Sequence, residues 1–222
     1  MTATLRYSVI VFPLVIIGFL FSNAQAEEQV WTPEPISTPT PVRSLRLVAN
    51  FGFTYGGETV IKTYDTNGGQ ASIKMGSIAQ MGVGVRWQLP SIPIALSATA
   101  NYHTDSVSAA NGSASFERYP IELITYYTGI PDTQIGLGVR KALSPHASYS
   151  VDSSTDETLT FTPKPAAILE AGIKVAPNAW VNVRYVNEGY VVKSYTANSN
   201  AMPGSGKTID GSHFGVNVSF LF

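Results

Sequence analysis

Four ionisable residues fall on one face of four alternating stretches: Glu122, Arg140, Glu170 and Arg184. Counted from the ends of their stretches, all four sit near mid-height. Two acids and two guanidiniums at one level can neutralise one another as a structural ion-pair cluster, or they can line a gated path for protons or small ions. The structural role is the ordinary one. A second group is His146-Ala147-Ser148 with Glu157 downstream, which holds the residue types of nucleophilic acyl transfer. Pro145 precedes that pair and the run SYSVDSSTD overlaps it, so a polar loop is the plainer reading. A third group, Gly204-Ser205-Gly206-Lys207-Thr208, has the end of a phosphate-binding loop. That motif needs a first glycine where Ala201 stands, and a helix N-terminus to receive the phosphates, whereas this segment runs into a strand. His103, Asp105 and Ser106 also have triad types, without the spacing of an acyl-transfer site. Three histidines spread along the chain make no metal site, and no cofactor is expected.

The elements that must position these groups are strands. The last ten residues read HFGVNVSFLF, and every second one is apolar: Phe214, Val216, Val218, Phe220 and Phe222. Period-two alternation of this length is a strand with one greasy face. Seven more such segments precede it: Leu45 to Tyr55, about Ser72 to Gln88, Ile94 to His103, Phe116 to Tyr127, Thr133 to Leu143, about Thr158 to Val175, and Ala179 to Tyr190. Each is near or above the length of about 9–11 residues that a tilted membrane strand needs. The connections at 89–93, 128–132 and 176–178 are short. Those at about 56–71, 104–115, 144–157 and 191–210 are long, and this alternation predicts short turns on the periplasmic side and four loops outside. Pro120, Pro163 and Pro165 fall inside strands, so bulges are expected there, or a sixth strand that pairs regularly only after Pro165.

Composition agrees with this reading. Only 13% of the 222 residues are charged, against about 25% in a typical soluble domain. Lysine plus arginine number 14 and aspartate plus glutamate 15, a balance that gives no reason to expect nucleic acid as a partner. The absence of cysteine removes disulfides and thiol chemistry. At the N-terminus, Arg6, the apolar run Val9 to Phe21 and Ala24-Gln25-Ala26 predict a cleaved secretory signal over residues 1–26. Four prolines then predict an extended linker over 27–43, with the barrel over 44–222.

The face opposite the apolar one holds Arg46, Asn50, Lys74, Gln80, Arg86, Glu122, Arg140, Glu170, Lys174, Arg184 and Asn217, with seven glycines among them. A water-facing exterior gains little from glycines in strand interiors, each costing about 0.5–1 kcal/mol relative to alanine. A narrow lumen filled with long side chains needs bare spots beside them. The charged face is therefore placed inside and the apolar face, including Ile73 and Met75, in lipid. Glu122, Arg140, Glu170 and Arg184 then form a cross-lumen cluster, and lower down water or the Phe222 carboxylate is left to complete the pairing of Arg46, Arg86 and Lys174. Trp87, Tyr127, Phe220 and Phe222 would form one aromatic girdle, and Phe53, Tyr55, Tyr102, Tyr119 and Phe161 the other.

The closing strand with its terminal aromatic resembles the C-terminal signal of bacterial outer-membrane β-barrels. The charged interior resembles that of the small eight-stranded OmpA-type and OmpX-type barrels. The resemblance implies an all-β, up-and-down antiparallel fold. It also implies engagement of the barrel assembly machinery by Phe214, Val216, Val218, Phe220 and Phe222. Outer-membrane lipid or lipopolysaccharide would be the surrounding partner, and the protein a monomer without enzymatic activity, structural or adhesin-like through its loops. His146, Ser148 and Glu157 resemble the His-x-Ser and Glu set of PagL-type lipid A deacylases, although Tyr149 stands where that family has asparagine. A lipid A hydrolase is thus one alternative and a small-solute channel another, with a soluble periplasmic carrier last.

Overall fold

The computed structural model describes residues 44–64, 70–76, 78–109, 112–151, 155–198 and 200–222. The signal and linker expected over 1–43 lie outside the described residues. Among the described residues fourteen strands follow one another: β1 (Leu45–Gly56), β2 (Thr59–Tyr64), β3 (Gln70–Lys74), β4 (Ile78–Gln88), β5 (Ile94–Ala109), β6 (Gly112–Tyr127), β7 (Thr133–Val151), β8 (Thr155–Pro163), β9 (Ala166–Ala176), β10 (Ala179–Asn187), β11 (Gly189–Ala197), β12 (Asn200–Pro203), β13 (Thr208–Asp210) and β14 (His213–Leu221). Eight of them close a ring, all antiparallel, in the order β1–β4–β5–β6–β7–β9–β10–β14 and back to β1. The seam between first and last strand runs from Val48↔Leu221 to Gly56↔His213, and Leu47 and Phe222 exchange backbone bonds of 3.0 and 3.2 Å beyond it. A closed ring leaves no backbone edge, which a wall in hydrocarbon requires.

The pleat sorts the side chains as the alternation demands. Phe214 is 67% exposed and Val216 51%, while Arg140 is 2% and Arg184 5% exposed. Leucine and valine cover the outside at Leu47, Val83, Leu123, Leu137, Val139, Leu169 and Val183. Trp87, Tyr127, Phe220 and Phe222 are exposed toward the short-turn rim, and Phe53, Tyr55 and Tyr119 toward the other.

The strands run well past the lengths read from the sequence. β5, β6 and β7 continue to Ala109, back to Gly112 and on to Val151, where loops were expected. The sixth and seventh staves are each broken in two. β7 pairs with β9 as far as Arg140↔Ala166, and from His146↔Thr160 upward it pairs with β8. Lys164 and Pro165 fill the interval, and β9 starts at Ala166, directly after Pro165. β8 then pairs with β11, so a second sheet, β5–β6–β7–β8–β11–β12, stands above the ring.

Three placements differ from the sequence reading. Ile73 and Met75 are buried, at 1% and 0% exposure, instead of facing out, because the turn at 75–76 separates β3 from β4 and resets the alternation. Lys74 correspondingly leaves the lumen and lies over the Tyr55 ring at 4.4 Å. Phe161 faces inward at 5% exposure and is not part of a girdle. The irregularity expected at Pro120 sits two residues earlier. Arg118 on β6 opposes both Ser144 and Pro145 on β7, between Glu117↔His146 and Tyr119↔Leu143. Ser144 takes the left-handed conformation (φ 48°) that such a bulge uses. Below the bulge Arg140 and Ala142 point inward, and above it Ala147 does.

Glycine is required where the lumen is tightest. A Cβ on Gly84 would land on the Ala98 carbonyl oxygen, and one on Gly82 on the Asn101 side chain. The first clash is with backbone and cannot be relieved by a rotamer. Gly84→Ala is expected to cost about 1–3 kcal/mol, read as a lower urea midpoint of the folded barrel. An unchanged midpoint would mean that the β4–β5 wall can spread.

Candidate functional site: the buried polar lumen

Inward-facing side chains of every stave meet in the middle of the ring. Glu122 and Arg140 are cross-strand partners on β6 and β7, as are Glu170 and Arg184 on β9 and β10. Arg140 Nη1 is 3.3 Å from Glu122 Oε1, Arg184 Nη2 is 2.8 Å from Glu122 Oε2, and Arg184 Nε is 3.1 Å from Glu170 Oε2. The chain of alternating charge extends upward through two residues that the sequence reading did not single out. Arg140 Nε lies 3.4 Å from Glu188 Oε1, and Arg118 Nη2 lies 3.9 Å from Glu188 Oε2. The result is Arg118–Glu188–Arg140–Glu122–Arg184–Glu170, all buried. Among the described residues, the buried acids are Asp105, Glu122, Glu170 and Glu188 and the buried arginines are Arg86, Arg118, Arg140 and Arg184. Four against four leaves no net charge to be neutralised, which is the condition for burying so many ions.

Below this chain the Arg86 guanidinium heads a run of neutral amide side chains. Arg86 Nη1 donates to Gln134 Oε1 at 2.6 Å, Gln134 Nε2 to Asn182 Oδ1 at 2.6 Å, and Asn182 Nδ2 to Asn217 Oδ1 at 2.7 Å. The Arg86 guanidinium also stacks over Tyr126 at 4.5 Å, and the Tyr126 hydroxyl donates to Glu170 Oε1 at 2.8 Å. Arg86 is therefore partnered by an amide and a ring, not by the Phe222 carboxylate. At the upper end, Arg118 Nη2 donates to His103 Nδ1 at 2.8 Å. Because a guanidinium can only donate, that nitrogen is bare, and the ring proton sits on Nε2 and is donated to Thr54 Oγ1 at 2.8 Å. His213 packs edge-on against His103, ring centroids 5.2 Å apart.

Above the ions lies an apolar cluster. Ile73 and Met75, from the β2–β3 hairpin, pack with Phe116 of β6, Ala142 and Ala147 of β7, Phe161 of β8, Tyr190 and Val192 of β11, and Ile209 of β13. Side chains from five staves converge on Ile73 and Met75. Polar latches hold the hairpin: Lys74 N donates to Asp105 Oδ2 at 2.8 Å, and Arg118 Nη1 donates to the Met75 carbonyl.

The other sequence candidates are not assembled into sites. His146 and Ser148 lie on the outer face of β7, where His146 Nδ1 bonds the Ser144 carbonyl at 3.0 Å. Glu157 sits on the opposite face of β8, opposite Tyr149, where a hydrogen bond to Glu157 raises the pKa of Tyr195. His103 and Asp105 are buried inside while Ser106 faces out. Lys207 reaches Glu58 at 3.1 Å, and the segment Gly204–Thr208 leads into β13. Among the described residues, no group of three or more potential ligands could hold a metal. No helix among them is long and apolar enough to cross a membrane, which says nothing about strands.

No family model matches the chain, and no curated protein matches it. Solved structures do. Neisserial surface protein A aligns over 81% of this chain and 98% of its own, with 12% identity and a TM-score of 0.45. Outer membrane protein AlkL, solved by solid-state NMR in DMPC bilayers, aligns over 86% and 97%, with 15% identity and a TM-score of 0.46. Outer membrane protease OmpT from Escherichia coli aligns over 80% and 95%, with 11% identity and a TM-score of 0.40.

Proposed function

We propose that the protein is an integral bacterial outer-membrane barrel with a sealed lumen, and that its role is structural and surface contact. One observation carries the reading: a wall greasy on the outside encloses a charge-balanced ionic chain with an apolar cap above it. A soluble carrier would bury the apolar face and hydrate the ions. A channel would leave a continuous polar path, and the buried cluster of Ile73, Met75 and Phe116 above the ions favours a sealed lumen instead. The contact surface is the sheet above the ring, in place of four flexible loops. On this reading β14, with Phe214, Val216, Val218 and Phe220 along its outer face and Phe222 just beyond its end, is what the assembly machinery engages, and the protein works as a monomer among lipopolysaccharide.

Single-cysteine labelling on whole cells tests the topology. Ser150→Cys is expected to react with an impermeant reagent and Asn178→Cys only after the outer membrane is breached. The folded protein is expected to migrate faster on unheated than on heated gels, and to give no conductance in a planar bilayer. Steady single-channel current would overturn the sealed lumen. Lipid A that loses an acyl chain only in cells carrying the protein would favour the hydrolase instead.

A further inference from the structure

The outer face of the upper sheet is an ordered array made mostly of hydroxyl groups. Following the register across five strands, one rung reads Ser106–Ser115–Ser148–Thr158–Thr196. The rung below it reads Thr104–Glu117–His146–Thr160–Ser194. None of these ten side chains is buried. The opposite face of the same strands is spent on the cap, at Ala114, Phe116, Ala147 and Phe161. Directly beneath the lower rung, Tyr102 and Tyr119 pack with ring centroids 5.4 Å apart, and one rung further down comes the exposed Lys141.

We propose that this hydroxyl face docks the sugar portion of the glycolipid in the surrounding outer leaflet. The proposal rests on the membrane reading above, which fixes where the face sits. Tyrosines on a barrel exterior mark the headgroup level. Each rung climbs about 6.6–6.8 Å along the strand, so the two rungs stand where the first sugars of an outer-leaflet glycolipid must pass. The chemistry matches that neighbour. A serine or threonine hydroxyl both donates and accepts, as a sugar hydroxyl does. Being neutral, it is cheaper to desolvate than the lysines and glutamates that usually coat a solvated sheet. Exposed sheets are normally kept apart by charge, and across these two rungs Glu117 is the one carboxylate, with no lysine or arginine. A face so weakly charged is suited to being covered. Lys141, reaching up past the tyrosines, supplies a cation at the height of the glycolipid phosphates.

The test compares the folded full-length barrel in detergent with two probes, a core-bearing rough lipopolysaccharide and the lipid A cut from it. The parent protein is expected to bind the core-bearing form about tenfold tighter than lipid A. A variant carrying Ser106→Ala, Ser115→Ala, Ser148→Ala, Thr158→Val and Thr196→Val is expected to lose that preference while keeping its affinity for lipid A. A heat-shift gel in phosphatidylglycerol bilayers checks that the variant still folds, and Ser148→Ala alone, with a smaller loss, serves if it does not. Equal affinity of the parent for both probes, or a variant that retains the preference, overturns the proposal while leaving the barrel in its membrane. Failure of the parent protein to insert into bilayers at all overturns the membrane reading, and this proposal with it.

Discussion

Glu122→Gln is expected to destabilise the folded barrel by about 3–5 kcal/mol, the cost of removing one partner from a buried ion pair. Glu122 is the hub of the chain, 3.3 Å from Arg140 and 2.8 Å from Arg184, and it is 2% exposed. Glutamine keeps the shape and deletes the charge, leaving four buried guanidiniums against three carboxylates. No water-filled route beside it can supply a counter-ion if the lumen is sealed. Adding Arg140→Gln to the same protein restores three against three, so the double variant is expected to be more stable than Glu122→Gln alone. The four members of that cycle, measured as urea midpoints in one bilayer or micelle, give the coupling directly. A single variant that unfolds at the parent's midpoint would mean that water or ions already screen the cluster, and the lumen would then have to be regarded as wet.

Leu123→Arg is the complementary experiment on the other face. Leu123 is 56% exposed and lies midway along β6 between Tyr119 and Tyr127, where the hydrocarbon should be thickest. An arginine at that depth is expected to cost about 2–4 kcal/mol of barrel stability. Ser150→Arg, on the same outer face but above the tyrosines, is expected to stay within about 0.5 kcal/mol of the parent. The contrast between the two positions, measured in the same lipid, is the informative quantity. Equal effects at both would mean that the apolar belt is not in contact with lipid.

The ring itself could be read from period-two alternation, because its strands carry large apolar groups on every second residue of their outer face. The central ions could be read for the same reason: Glu122, Arg140, Glu170 and Arg184 share parity with the glycines that make room for them. Arg118 and Glu188 obey the same parity and could have been found. They sit beside a bulge and a strand break, however, and there a count from strand ends loses its footing. The upper sheet was hidden by two local resets. The bulge at Ser144–Pro145 shifts the inward set from even to odd residues, so the stretch from Lys141 to Val151 shows no single alternation. The turn at 75–76 does the same for Ile73 and Met75. Above the ring the outward residues are largely serine and threonine, a composition shared by loops, and only cross-strand partners reveal that they are in register.

The seam between β1 and β14 has a temporal consequence. Its two sides are the first and last strands of the ring, so the wall cannot be completed until the final strand has been delivered. On the membrane reading, every shorter product would present two unpaired borders to the bilayer core, where nothing else can satisfy them. Biogenesis of this molecule is therefore all-or-none at its last step, and a single late event decides whether a stable wall exists at all.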